Sequence, residues 1–230
     1  MPLALASVEP LERITLGDQV YAQLSEMLIA GKLTPGDRLS LRSAAEQLGV
    51  SMMPVREAVN RLVADGGLEV APNRAVRVPI LTVSQFRDLT RVRVAIEGHA
   101  AAEAALRRSA EDLAAIAQAE AAFLNESRAD GPDLPGAVEK NKNLHFAVYR
   151  AAGSPILVEI IRGLWLKAGP VINLDLRENP NRLRFGGAVD RHAEMTRAIV
   201  ARDPEGARAA IAADIANAAE FILSRGRLAD

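Results

Sequence analysis

Between Arg38 and Arg77 six arginines (Arg38, Arg42, Arg56, Arg61, Arg74 and Arg77) stand against four acids (Glu46, Glu57, Asp65 and Glu69). The whole chain carries a net charge of only −1, so the excess is local. A guanidinium offers paired donors to a phosphate or to the acceptor edge of a guanine. Such a segment suits an anionic polymer, although charge alone does not separate it from a solvated helix face. A second group lies in the C-terminal half. Asn141 and His145 are spaced i, i+4 and share one helix face, as do Arg93 and Glu97 in an earlier segment. His192 and Asp214 follow on later segments. Imidazoles and carboxylates can ligate a divalent metal, hold a ligand, or serve as hydrogen-bonded core partners. Arg93 can fork onto a ligand carboxylate or pair internally with Glu97. The chain has no cysteine, which excludes disulfides, thiolate metal sites and cysteine nucleophiles.

These residues need elements to position them. LGDQVYAQLSEMLIA (16–30) places Val20, Leu24, Met27 and Leu28 on one helical face, with Gly31 as C-cap. LTPGDRLS reads as a turn, and LRSAAEQLG as a two-turn helix ended by Gly49. In VSMMPVREAVNRLVADGG, Ser51 caps a third helix and Pro54 sits in its first turn, where a missing N–H is harmless. LEVAPNRAVRVPI alternates around a Pro-Asn turn and predicts a two-stranded hairpin. Three helices followed by a hairpin describe a winged helix-turn-helix, and a generic three-helix domain with a β-ribbon would look similar. Glu57 and Arg61 have the spacing of a helix-surface pair.

After Pro79 the pattern is helical throughout, with helices predicted near 84–107, 110–128, 135–151, 154–170, 187–202 and 204–225. The fold class is therefore mainly α, with residues 1–79 as a winged helix-turn-helix domain and 80–230 as a bundle of about six helices. MPLALASVEPLER lacks a basic n-region and no eighteen apolar residues run together, so the expectation is a cytoplasmic protein without a membrane partner.

The stretch VYAQLSEMLIAGKLTPGDRLSLRSAAEQLGVSMMPVREAVNRLVADG resembles the N-terminal domain of GntR-type bacterial transcription regulators, through L-x-x-G-x-L-x-P-G-x-x-L and G-V-S-x-x-P-V-R-E-A. VRVAIEGHAAAEAA, NKNLHFAVYRAAGSP and DRHAEMTRAIVARDPEGARAAIAADI are similar to the FCD (FadR C-terminal domain) subgroup. The resemblance implies a homodimer gripping an inverted-repeat, double-stranded operator. It also implies a helical bundle that binds a small effector, often a carboxylate, sometimes with a divalent metal. A repressor is the expected form, and no enzymatic activity is expected.

Mapped onto this chain, the resemblance implies DNA contacts from Arg42, Ser51, Met52, Met53, Arg56 and Arg74. Arg56 is the candidate for base readout. Met52 and Met53 replace an arginine and a threonine of many relatives; they can meet thymine methyl groups or, the commoner fate of methionine, be buried. The wing often carries glycine where Ala75 stands. The effector set is Arg93, Asn141, His145 and His192. The metal set is Asn141, His145, His192 and Asp214, for zinc, nickel or manganese, with Asn141 replacing a carboxylate and Asp214 an imidazole. His99 falls outside it, and Trp165 is expected to pack the bundle or dimer. The rival readings are a metal-dependent hydrolase and a DNA binder with no effector.

Overall fold

Thr15 caps the first described helix with a capping box: its hydroxyl accepts from the Asp18 N–H at 3.0 Å, and the Asp18 carboxylate accepts from the Thr15 N–H at 3.2 Å. The structure, a computed structural model, describes residues 14–129, 131–178, 187–226 and 228–230. The reading of residues 1–13 and most of the break expected at LRENPNR fall outside that range.

Helix α1 (Leu16–Ile29) turns Val20, Leu24 and Leu28 into the core. It is followed by β1 (Arg38–Leu39), α2 (Leu41–Leu48), α3 (Met52–Ala64), β2 (Glu69–Val70) and β3 (Val76–Arg77). The strands form one antiparallel sheet in the order β1-β3-β2, with Leu39 opposite Val76 and Arg38 opposite Arg77. The predicted hairpin is present, but the segment read as a turn supplies a third strand. Two residues are too few to show alternation in a sequence, and only the neighbouring β3 gives them a ladder.

Among the described residues six helices follow: α4 (Val83–Arg107), α5 (Ala110–Arg128), α6 (Leu134–Ala151), α7 (Pro155–Glu178), α8 (Ala188–Val200) and α9 (Pro204–Ser224). Ala100, Ala101, Ala104 and Ala105 are buried along α4, where small side chains let α9 pack closely. The connection into α4 is pinned from the far end of the chain: the Val83 N–H donates to the Ala229 carbonyl and the Ala229 N–H to the Leu81 carbonyl, both at 3.0 Å.

The prediction for α7 needs correcting. It does not stop near 170 but continues through Pro170 to Glu178. The tertiary setting compensates for the hydrogen bond that the proline cannot donate. Gly169 presses against α1, where a Cβ would lie 2.8 Å from the Leu28 carbonyl oxygen and 2.9 Å from that of Ile29. Asn173 then donates to the Ile29 carbonyl at 3.2 Å. Its side chain also excludes any Cβ at Gly31, whose φ of +62° already favours glycine. The winged helix is thus seated on α7, and buried residues of both regions form one contiguous apolar core.

A charged clamp reinforces this seat. The Glu26 carboxylate on α1 accepts from Lys142 on α6 and Arg162 on α7, each at 2.8 Å. Burial works against the Glu26 charge, but the bonds from Lys142 and Arg162 outweigh it and hold the carboxyl below its ordinary value of 4.5. Because the folded value is the lower one, the stabilisation is complete above about pH 4.5 and is lost as pH falls below it. Glu26→Gln is therefore expected to increase amide exchange in α1 at neutral pH, and the difference from wild type should fade in acid. Equal exchange at neutral pH would show that the clamp contributes nothing.

Candidate functional site

The first site is the outer face of α3. Ser51 has the extended geometry of an N-cap, φ −72° and ψ 169°, yet its side chain makes no capping hydrogen bond. With Ser51 at the cap, Pro54 occupies the third helical position and has no N–H to offer. The hydroxyl and the first-turn amides therefore face outward, the arrangement in which a helix N-terminus meets a phosphate. Ser51, Met52, Met53, Arg56, Glu57 and Asn60 are all exposed, while Pro54, Val55, Ala58, Val59 and Leu62 are buried. Of the two fates open to the methionines, burial within the chain is not the one seen: Met53 is 74% exposed and Met52 36%. Asn60, four residues after Arg56 on the same face, was missed by sequence reasoning. Its amide can pair with an adenine edge.

Arg56 makes no ion pair or hydrogen bond among the described residues, so the Arg56–Glu57 alternative is not realised. Nor is the Glu57–Arg61 pair. Arg61 donates to Asp18 at 2.6 Å and stacks over Tyr21, its guanidinium carbon 4.1 Å from the ring centroid. Tyr21 in turn donates to Asp65 at 2.6 Å. Helix spacing allowed one partner for Arg61, and the crossing of α1 over α3 supplied another. Arg42 lies on the exposed face of α2 and donates to Glu46 at 3.1 Å. At the wing tip Arg74 is exposed with φ +63°, so the left-handed residue is Arg74 and not its neighbour Ala75.

The second site is a cavity of about 40 Å³ within the bundle, lined by Arg93, Phe123, Asn141, His145, Trp165 and Asp214 among others. His145 Nε2 lies 3.3 Å from His192 Nε2 and 3.4 Å from Asp214 Oδ2, and His192 Nε2 lies 3.7 Å from Asp214 Oδ1. Both imidazoles are 2% exposed or less. Burial raises the cost of charge on Asp214, but the imidazoles of His192 and His145 beside it outweigh it and hold the carboxyl well below the usual range. Asn141 lines the same cavity, half-buried, and makes no hydrogen bond among the described residues. His99 is exposed on α4, away from this set.

The Arg93–Glu97 pair forms, through Nε at 2.7 Å and Nη2 at 3.3 Å, with the two side chains 5% and 0% exposed. Burial opposes the charge on Arg93, and Glu97 outweighs it, so the guanidinium stays charged. Arg93 Nη1 keeps no partner among the described residues. Trp165 packs against Phe146 and His145, as expected of a core residue, but it also lines the cavity and donates to Glu97 at 3.2 Å. Glu97 therefore receives Arg93, Trp165 and the hydroxyl of Tyr149. Tyr149 was not legible as a site residue; its place four residues after His145 is the only signal the sequence held.

A winged helix with an outward recognition face, joined to a bundle that encloses charged and polar side chains, defines a DNA-binding regulator with a ligand-sensing domain. The chain belongs to the gntR family of bacterial regulatory proteins, whose pattern matches residues 16–78, and residues 88–217 match the FCD domain. It is 34% identical over 202 residues to the HTH-type transcriptional regulator McbR of Escherichia coli (strain K12), covering 88% of this chain and 90% of that one. The solved structure of E. coli McbR/YncC matches with a TM-score of 0.84 at 32% identity, over 93% of this chain and 99% of the other. The "Probable D-xylose utilization operon transcriptional repressor" of Paenarthrobacter nicotinovorans is 27% identical over 213 residues, 92% of this chain and 90% of its own. The protein is a transcription regulator that binds DNA through the winged helix and carries an effector-binding FCD domain. Among the described residues no helix is long and apolar enough to cross a membrane.

Proposed function

We propose that the protein is a homodimeric, cytoplasmic repressor, divided after Pro79, whose operator affinity responds to a small organic acid bound beside a divalent metal in the bundle. The observation that carries this reading is the convergence of His145, His192 and Asp214, whose ligand atoms all lie within 4.8 Å of one another, beside a cavity that His145 and Asp214 line together with Arg93. Ligand atoms bonded at 2.0–2.1 Å around a tetrahedral zinc stand roughly 3.3 Å apart, close to the separations seen here. His192 Nδ1 is buried without a hydrogen-bond partner, and Nε2 is the ring atom that faces His145 and Asp214. His145, His192, Asp214 and the Asn141 amide would hold zinc, nickel or manganese. Such an ion supplies positive charge for an anionic effector, and Arg93 Nη1 offers a further donor to the same carboxylate.

On the DNA side Ser51, Met52, Met53, Arg56, Arg42 and Arg74 meet the operator, with α3 in the major groove and the wing beside it. The link to the bundle is α7. Trp165 and Ile172 line the cavity, while the neighbouring Leu166, Gly169 and Asn173 seat the winged helix. A volume of about 40 Å³ accommodates an ion or a water molecule, so an organic acid enters only if these walls move. Differential affinity for the two arrangements is the source of control, typically about 1–3 kcal/mol. A hydrolase is disfavoured because Glu97, the carboxylate bonded to Tyr149, is already saturated with donors, and Asp214, the one beside His145, is taken up in the ligand set, so neither offers a base.

Metal-free protein titrated with zinc, nickel or manganese is expected to bind one ion per chain. An ion at one hundred times its dissociation constant adds about 2.7 kcal/mol, which in a chain of this size raises Tm by roughly 5–10 °C. His192→Ala should abolish that rise. A screen of small organic acids with metal present should then yield compounds that shift Tm further and alter a DNA mobility shift. No bound ion, or hits that leave DNA binding unchanged, would overturn the metal or the effector reading respectively.

A further inference from the structure

Tyr149 and Glu97 lie outside the expected set, yet they are joined to it by a chain of buried hydrogen bonds whose direction can be worked out. Glu97 is fully buried and beside Arg93, so it accepts: from Arg93 Nε and Nη2, from Trp165 Nε1 and from the Tyr149 hydroxyl. The Tyr149 hydroxyl has a single proton to give. That proton is committed to Glu97. The Tyr149 oxygen has only lone pairs left, and it lies 3.0 Å from His145 Nδ1. His145 must therefore donate from Nδ1, and in the neutral ring the lone pair then sits on Nε2, which faces His192 and Asp214.

We infer that Glu97 and Tyr149 are positioning residues that lock His145 as the Nδ1–H tautomer and so present Nε2 to a cation in the cavity; the cation itself rests on the function proposed above. The contrast with His192 supports the assignment. Its Nδ1 has no partner, and its ring is held by edge contact with Phe123, centroids 4.8 Å apart. The two imidazoles thus differ: the orientation of His145 is set by hydrogen bonds and that of His192 by packing. Arg93 anchors the far end, donating to both Glu97 oxygens through Nε and Nη2. Donor partners of this kind typically change metal affinity 10–100-fold when removed.

The full-length, metal-free protein labelled with ¹⁵N in its histidines reports the tautomer directly through long-range proton–nitrogen couplings, and only three histidines need assignment. Wild-type His145 is expected as the Nδ1–H form. In Tyr149→Phe the population moves towards Nε2–H, and zinc or nickel affinity falls about 10–100-fold. Glu97→Gln, which keeps the shape of the carboxylate, should move the tautomer in the same direction and covers the case in which the phenylalanine variant fails to fold. Wild-type His145 as Nε2–H overturns the inference, as does a tautomer unchanged in both variants. If the tautomer behaves as expected but wild-type protein binds no metal, the positioning assignment stands and the metal reading falls.

Discussion

Arg56→Ala is expected to abolish operator selectivity while leaving the fold intact. A guanidinium read against a guanine edge contributes about 1–3 kcal/mol of discrimination, and the proposed dimer would present two, so specific affinity is expected to fall by about 2–6 kcal/mol. The structure supports the assignment through what Arg56 does not do. It projects from the exposed face of α3 between Met53 and Asn60 with no ion pair among the described residues, and the buried residues that hold the helix are its neighbours Val55, Ala58 and Val59. Truncation therefore removes no core contact. Non-specific binding, which depends on phosphate neutralisation, should change little. Footprinting on the operator checks the result, with thermal melting as the control for folding. A footprint unaltered in extent and affinity would remove Arg56 from base readout.

Arg93→Ala should have the largest effect on stability. It leaves Glu97, 0% exposed, with Tyr149 and Trp165 but without its counter-charge. Breaking a buried pair from one side costs about 3–5 kcal/mol, because the remaining charge stays desolvated. At about 2–4 °C per kcal/mol in a chain of this size, Tm falls by roughly 6–20 °C. The loss belongs to the orphaned carboxylate more than to the pair, so Arg93→Met combined with Glu97→Gln should recover much of it while still lacking an effector contact. Equilibrium unfolding of the two variants separates the effects. A single variant as stable as wild type would mean that Glu97 is hydrated or protonated and not the acceptor described above.

Sequence spacing carried far in this protein wherever local chemistry decides structure. Ser51, with proline three residues on, announces a helix start. Gly31 and Gly49 announce helix ends, and both adopt positive φ. Apolar periodicity placed every helix of the winged domain and the bundle. Arg93–Glu97 formed as its i, i+4 spacing implied, because both partners lie on one helix and need no third element. The candidate ligands were legible only through resemblance, since no periodicity relates residues 145, 192 and 214.

What failed were readings that depend on a neighbour not adjacent in the chain. Arg61 has the helical spacing to pair with Glu57 but finds Asp18 and Tyr21 on a crossing helix. Arg38–Leu39 becomes a strand because β3 lies alongside. Pro170 fails to end α7 because α1 packs against Gly169 and Asn173 bonds its carbonyl. For Met52 and Met53 the sequence left two fates open, and the register of α3, set by Val55, Val59 and Leu62, leaves them exposed.

The sequence by itself determined the family, the order of the elements and the residue types available for DNA, metal and effector. Only the tertiary structure decided which of those residues meet, that Tyr149 and Trp165 join them around Glu97, and that α7 touches both the cavity and the winged helix. The physical reason is range: caps, turns and helix faces are fixed within a few residues, whereas a buried polar site forms where packed helices bring distant side chains together.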